Sequence, residues 1–313
     1  MAAVGRQPRL LVLRALGLGD LLTAVPALRA LADAFPEHRR LLACPAALEP
    51  LVRLTGAVDE VVDTAPLAAL DAKLHGVDVA VNLHGRGPQS HRLLQSLEPQ
   101  RLIAFANVEA EVAEGPRWRA DEHEVVRWCR MLDESGVPAD PLRLDLEPPD
   151  VEIPEWLGGA TLIHPGAAAP SRRWPIERFA AVARAEVEHG RRVAITGTGS
   201  ERPLGETLAE AAGLPRESVL AGRTDLEQLA AAVGAADRVV CGDTGMAHLA
   251  TALGTPSVVL FGPLPPREWG PPADRPWHRS IWSGRLGDPH GAVPDPGLLE
   301  ISVADVVSEV ERL

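Results

Sequence analysis

Cysteine is scarce in this chain: Cys44, Cys129 and Cys241 are its three, in 313 residues. Being odd in number, far apart and at no metal-ligand spacing, they exclude a disulfide framework or a zinc cluster and suit the reduced thiols of a cytoplasmic protein. Long apolar runs are also missing. No stretch approaches the roughly 18 to 20 residues that a membrane span needs. The apolar run behind the basic N-terminus stops at Arg14, too soon for a secretory signal. Lysine is almost absent, Lys73 being the only one. Neither half of the chain is basic: residues 1–150 carry 16 basic and 22 acidic side chains, and residues 151–313 carry 15 and 21. A nucleic-acid-binding domain is therefore not expected. Attraction to anionic lipid would amount at most to transient contact with a membrane surface. An anionic ligand has to be held by local geometry.

What is present is an alternation of short apolar runs with helical patterns. Runs at 9–14, 41–44, 58–63, 77–83 and 102–105 are bounded by Gly, Pro or Asp, as buried parallel strands are. A helical pattern from about 120 to 135 follows. Composition then shifts: Pro138, Pro141, Pro148, Pro149 and Pro154 stand among acidic residues with no helical period, a linker signature. Beyond it, strands are expected at 160–164, 192–196, 218–220, 238–241 and 257–261, with helices between them. The stretch 263–296, rich in Pro, Gly and Trp, reads as irregular, and 303–313 as a final helix. The predicted organisation is an α/β chain of two Rossmann-like domains facing across a cleft. Its parts are an N-terminal domain at 1–137, a proline-rich linker at 138–157, a C-terminal domain at 158–300 and a C-terminal helix at 301–313.

Two strand-to-helix turns are Gly-x-Gly, Gly17-Leu18-Gly19 and Gly197-Thr198-Gly199. The dinucleotide fingerprint needs a third glycine, and Leu22 and Arg202 stand in its place. The turns remain simple tight turns, or helix starts whose amides face a phosphate. The richest segment is 239–263, which reads as strand, sharp turn, small-residue helix, turn and buried strand. Asp243 ends the strand, and Thr244 and Gly245 offer a hydroxyl and free amides where the helix dipole favours an anion. Asp243 as a mere cap of its own helix is the competing reading. His248, one turn on, either faces the same site or is a packed structural histidine.

The run Asp243-Thr-Gly-Met-Ala-His248 with Gly254-Thr-Pro-Ser-Val-Val-Leu-Phe-Gly-Pro263 resembles the signature of glycosyltransferase family 9, the bacterial heptosyltransferases. His164-Pro-Gly166 with Arg172-Arg-Trp-Pro175, and Gly17-Leu-Gly-Asp-Leu-Leu-Thr-Ala-Val-Pro-Ala-Leu28, extend the resemblance across the chain in order. It implies the GT-B type of fold, with a nucleotide-binding C-terminal domain and an acceptor-side N-terminal one. The implied reaction moves heptose or a related sugar from a nucleotide-diphosphate donor of the ADP-heptose kind to a saccharide or glycolipid hydroxyl of lipopolysaccharide or another cell-envelope glycan.

Roles follow at matched positions. Asp20 corresponds to the proposed general base; alone it reads equally as a carboxylate complementing a helix N-terminus. Thr244 and Gly245 match diphosphate-binding positions and Asp243 one that holds sugar hydroxyls. Gly19 and His248 fall within the same motifs, and Glu201 stands where ribose hydroxyls would be accepted. Arg172 replaces the family's usual lysine, keeping the charge as a planar fork suited to a leaving diphosphate. The family is inverting and metal-independent, so neither a metal nor a cofactor is expected, and no Asp-x-Asp motif occurs. His84 and Arg86, after an N-domain strand, are the acceptor-side candidates; Ser90, His91 and Arg92 continue that loop, and a solvated loop is the alternative. A nucleotide-sugar epimerase and a non-catalytic nucleotide-sugar binder are the other functional readings.

Overall fold

The computed structural model describes residues 6–313. The chain divides into two compact units, one ending at Leu144 and the other beginning at Asp145. Each is a five-stranded, wholly parallel sheet with helices between its strands.

In the first unit β1 (Arg9–Leu13), β2 (Arg39–Cys44), β3 (Glu60–Asp63), β4 (Val79–Asn82) and β5 (Arg101–Ile103) lie in the order β3-β2-β1-β4-β5. The chain winds outward from β1 on one side, then returns to place β4 on the other. That reversal makes the carboxyl ends of β1 and β4 a topological switch point, the place where open α/β sheets bind ligands. Leu10, Leu11 and Leu13 of β1 are wholly buried, as a central strand covered on both faces requires. The intervening helices are α1 (Leu18–Thr23), α2 (Val25–Ala34), α3 (Glu49–Leu54), α4 (Gln89–Gln95) and α5 (Glu124–Glu134). Leu144 packs on Val125 and Cys129 of α5, which fastens the first part of the proline-rich segment to this unit.

The second unit repeats the plan with β6 (Thr161–His164), β7 (Val193–Ile195), β8 (Arg238–Gly242), β9 (Ser257–Phe261) and β10 (His278–Trp282), in the order β10-β9-β8-β6-β7. Its switch point lies between β6 and β8. The helices are α6 (Ile176–Glu188), α7 (Arg202–Ala212), α8 (Leu226–Ala235), α9 (Gly245–Leu253), α10 (Pro266–Trp269), α11 (Pro296–Glu300) and α12 (Val303–Glu311). The rest of the proline-rich segment is docked here: the Leu146 amide donates to Ala252 at 2.7 Å, and Asp145 pairs with Arg275 at 2.8 Å.

Two expected features differ. Residues 218–220 form no strand; a 3-10 turn at Arg216–Ser218 leaves only a single bridge from Val219 to Ile195. The stretch read as irregular contains β10, an edge strand whose sequence, His-Arg-Ser-Ile-Trp, has polar residues where a central strand would be apolar. The final helix packs on the second unit through Val306 and Val310, in a core with Ile163, Phe179 and Val258. Among the described residues no helix is long and apolar enough to cross a membrane.

Candidate functional site

At the second switch point, β6 ends in His164-Pro165-Gly166 and β8 in Gly242, with His164 in register with Cys241. Asp243 follows at once, buried, its amide donating to the Leu260 carbonyl at 3.1 Å. The residue at the N-cap of α9 is Thr244, extended at φ −147° and ψ 174°. The competing reading of Asp243 as the cap does not hold: the N-cap is Thr244, and its side chain makes no capping bond. Its hydroxyl is buried without a hydrogen-bond partner among the described residues. A buried hydroxyl left unpaired costs about 1–3 kcal/mol, which a ligand oxygen would recover. Gly245 opens α9, so its amide is among the unpaired first-turn donors aimed along the helix axis.

Arg172 is brought to this point by its neighbours. Trp174, beside it, is buried edge-on against Phe179 at 5.0 Å and donates its indole N–H to Ile301 at 3.2 Å. Pro175 then caps α6. Anchored in this way, the preceding 3-10 turn at Pro170–Arg172 lies so close to β8 that a Cβ on Gly242 would sit 3.1 Å from the Arg172 carbonyl. The Arg172 guanidinium donates to the Asp243 carbonyl at 3.3 Å, and its Nε is buried with no partner among the described residues. Burial pushes the Asp243 carboxyl up to about 6, against the opposing pull of the Arg172 charge. Such a carboxyl is able to donate a hydrogen bond when protonated and to accept when not.

Glu201 belongs to the same end of the sheet but is already engaged. Its Oε2 accepts from the Thr198 amide at 2.8 Å and the Thr198 hydroxyl at 2.9 Å, a capping arrangement. Burial pushes this carboxyl up, but those bonds and the His164 and Arg173 charges outweigh it and leave it below its usual range. A Cβ on Gly166 would lie 2.0 Å from Glu201 Oε1, so glycine is what admits the carboxylate beside the β6 turn. His164 donates to or accepts from Thr196 at 3.1 Å. Burial lowers its pKa, with Glu201 opposing. His248 packs edge-on to Trp269 at 6.0 Å, one helical turn from Thr244. A separate cavity of about 350 Å³ in this unit is lined by Ile153, Trp156, Leu220, Arg223 and Gln228 among others.

The first switch point gathers the other predicted residues. Asp20 sits in the first turn of α1, next to Gly19, and its Oδ2 accepts from the Gly17 amide at 3.2 Å. Oδ1 lies 3.5 Å from Arg14, and the side chain keeps 29% exposure. His84, after β4, is held by its amide donating to Asn82 Oδ1 at 2.9 Å, and its Nδ1 is buried without a partner among the described residues. Burial lowers the His84 pKa, Arg14 lowers it further and Asp20 opposes, which brings His84 and Asp20 into one electrostatic neighbourhood. Arg86 is exposed, and its carbonyl accepts from Asn107 at 2.9 Å.

Ser90 and His91 are not a solvated loop. They start α4 facing inward: Asn82 Nδ2 lies 2.9 Å from the Ser90 hydroxyl and 3.0 Å from His91 Nδ1, and His91 Nε2 meets the Phe105 carbonyl at 2.7 Å. Gly87, at φ +78°, leaves room for that ring, since a Cβ there would lie 2.2 Å from His91 Nδ1. Sequence reasoning also missed Arg14 and Glu124, both buried beside Asp20. Their only sequence signal was a charge closing an apolar run and an acid opening a helix. The polar segment around Trp118 is pinned by that ring, edge-on to Phe105 at 5.1 Å and beneath Arg127 at 4.3 Å.

Comparison with known proteins places the chain in a family. The model of glycosyltransferase family 9 (heptosyltransferase) matches residues 119–285, more than half of the chain. The matched stretch contains Arg172, Glu201, Asp243, Thr244, Gly245 and His248 and does not reach Asp20. Lipooligosaccharide heptosyltransferase 2 of Haemophilus influenzae is 33% identical over 117 residues, 36% of this chain and 33% of that protein. Lipopolysaccharide heptosyltransferase 2 of Escherichia coli K12 is 32% identical over 112 residues, 34% of this chain and 32% of that one. The chain thus spans about a third of the length of these curated relatives. The fold likeness is broader. The structure of E. coli ADP-heptose lipopolysaccharide heptosyltransferase II superposes with a TM-score of 0.76 at 21% identity, covering 97% of this chain and 98% of that one. A family 9 glycosyltransferase from Veillonella parvula does so with 0.75 at 20% identity, covering 97% and 96%. The architecture is the GT-B type, and the chain belongs to glycosyltransferase family 9, the heptosyltransferases.

Proposed function

We propose that the chain is an inverting glycosyltransferase that moves heptose or a related sugar from an ADP-linked donor to a hydroxyl of a saccharide or glycolipid, in assembly of a lipopolysaccharide-type core. The observation that carries this reading is the buried, unpartnered Thr244 hydroxyl at the N-terminus of α9, with Arg172 alongside. A hydroxyl, helix amides and a guanidinium with a free Nε suit a diphosphate, the one strongly anionic part of such a donor. Asp243, buried next to them, suits a sugar hydroxyl.

In the proposed reaction the acceptor oxygen attacks the anomeric carbon in line as the bond from that carbon to the diphosphate oxygen breaks. Asp20 takes the acceptor proton. Arg172, Thr244 and the α9 dipole stabilise the charge that gathers on the leaving nucleoside diphosphate. Glu201, already bonded to Thr198, keeps Oε1 for a ribose hydroxyl. His248 and Gly19 are assigned to the donor site, and His84 and Arg86 to the acceptor. The reaction is proposed to need no metal or cofactor and to take place in the cytoplasm, with at most transient contact with a membrane surface.

A thermal-shift panel of ADP-, UDP- and GDP-linked sugars tests the donor assignment. Stabilisation by the ADP-linked sugar above the other two is expected. No shift with any nucleotide would sink it. Transfer that survives EDTA supports the metal-free reading, and loss restored by a divalent ion defeats it.

A further inference from the structure

Arg14 is 1% exposed, a charged residue in the core of the first unit at the end of β1. Its guanidinium spends its donors on four places. Nε donates to the Asp20 carbonyl at 2.9 Å, and one terminal nitrogen to the Leu83 carbonyl after β4. The other donates to Thr23 Oγ1 at 3.1 Å and Glu124 Oε1 at 3.0 Å, and lies 3.5 Å from Asp20 Oδ1. The plane of the group sits over the Trp128 ring, 4.8 Å from its centre. Glu124 is itself buried and held by the Trp128 indole N–H at 2.8 Å and by Arg127. Burial pushes the Glu124 carboxyl up, but Arg14 and Arg127 more than offset this and keep it below its ordinary range.

A buried ion pair of this kind is poor value as a stabiliser, because desolvation cancels most of its attraction and packed apolar residues often do as well. What it supplies is geometry. The short helix α1 has only six residues, so its own hydrogen bonds fix its direction weakly. Arg14 ties the main chain and the carboxylate of Asp20 to the ends of β4 and α5 at once. With the Gly17 amide on Oδ2, each Asp20 oxygen then has a fixed neighbour.

We propose that Arg14, aimed by Glu124, is the positioning residue that holds Asp20 in register for proton abstraction. This rests on Asp20 being the base. Lysine cannot reproduce the role, since a single ammonium replaces a planar fork with donors in fixed directions.

The test is a double-mutant cycle on the full chain, with an ADP-linked heptose donor and a delipidated core saccharide as acceptor. Arg14→Lys and the isosteric Glu124→Gln are each made alone and with Asp20→Asn. Each single variant is expected to keep its near-UV circular dichroism and a donor KM within about twofold, and to lose roughly 10- to 100-fold in kcat. In the Asp20→Asn background neither is expected to cost anything further, because the residue it acts through is gone. Losses that multiply with that of Asp20→Asn would mark a merely structural role and overturn the inference. Wild-type kcat in both folded variants beside an inactive Asp20→Asn would also overturn it, and the base assignment would stand. Wild-type kcat in Asp20→Asn would remove the base assignment itself. Should Arg14→Lys fail to fold, Glu124→Gln carries the same comparison.

Discussion

Arg172 and Asp243, 71 positions apart in sequence, meet at the carboxyl end of β8, where the guanidinium of one donates to the main-chain carbonyl of the other at 3.3 Å. The contact leaves the arginine's Nε unspent and lowers the cost of ionising the aspartate beside it. In the proposed donor site one charge would thus serve both the diphosphate and the titration of its neighbour.

Removing that charge is predicted to act on the nucleotide. Arg172→Ala should weaken ADP binding by 10- to 100-fold, the worth of one or two charge-assisted hydrogen bonds. Arg172→Lys should recover part of the loss, as a point charge without the fork. Isothermal titration with ADP measures both, and equal affinities in all three proteins would contradict the assignment.

The pKa of Asp243, raised to about 6, has a consequence for stability. The folded form holds the proton more tightly than the unfolded chain, whose carboxyl titrates near 4. The contribution to stability is therefore full below about pH 4 and is lost as the pH rises through about 6. Asp243→Asn is predicted to match the wild type in thermal stability near pH 4 and to exceed it at pH 8, by on the order of 2 kcal/mol. Thermal unfolding at the two pH values reads the difference; a variant less stable than wild type at pH 8 would contradict the sign.

Asp20→Asn is isosteric and keeps an acceptor for the Gly17 amide, so the fold and donor affinity should survive. Transfer should fall by about 100- to 10,000-fold, the usual contribution of a general base. Single-turnover kinetics with saturating donor separate the two effects, and a loss confined to donor KM would argue against a base.

Gly166 gives a prediction about local packing. A methyl group there would lie 2.0 Å from Glu201 Oε1, so Gly166→Ala must move a carboxylate that Thr198 holds with two bonds. Loss of this cap should cost about 1 kcal/mol, readable by denaturant unfolding. Nucleotide affinity should fall with it, which a cap remote from the ligand would not cause.

The sequence made the two sheets legible because buried parallel strands are short, apolar and punctuated, as β1 and β9 are. It hid β10, whose edge position tolerates His278, Arg279 and Ser280 in place of apolar residues. Asp243, Thr244 and Gly245 were legible because a strand-to-helix turn carries its own local signature. The identity of the cap was not, since an aspartate and a threonine side by side satisfy the same pattern and only backbone angles choose between them. Arg14 and Glu124 were beyond reach for a different reason. They are 110 positions apart, and a buried charge announces itself only through its partner. His91 misled in the opposite direction, because its polar surroundings in sequence conceal a fully buried ring.

This chain is proposed to transfer a sugar from an ADP-linked donor to an acceptor hydroxyl. The most direct test follows ADP release from ADP-heptose with and without a delipidated core saccharide, with mass spectrometry of the saccharide. Acceptor-dependent ADP release with a matching heptose mass added to the saccharide is the predicted result. An altered or consumed donor at an unchanged rate without acceptor, and no mass gained by the saccharide, would contradict it and favour epimerisation or hydrolysis.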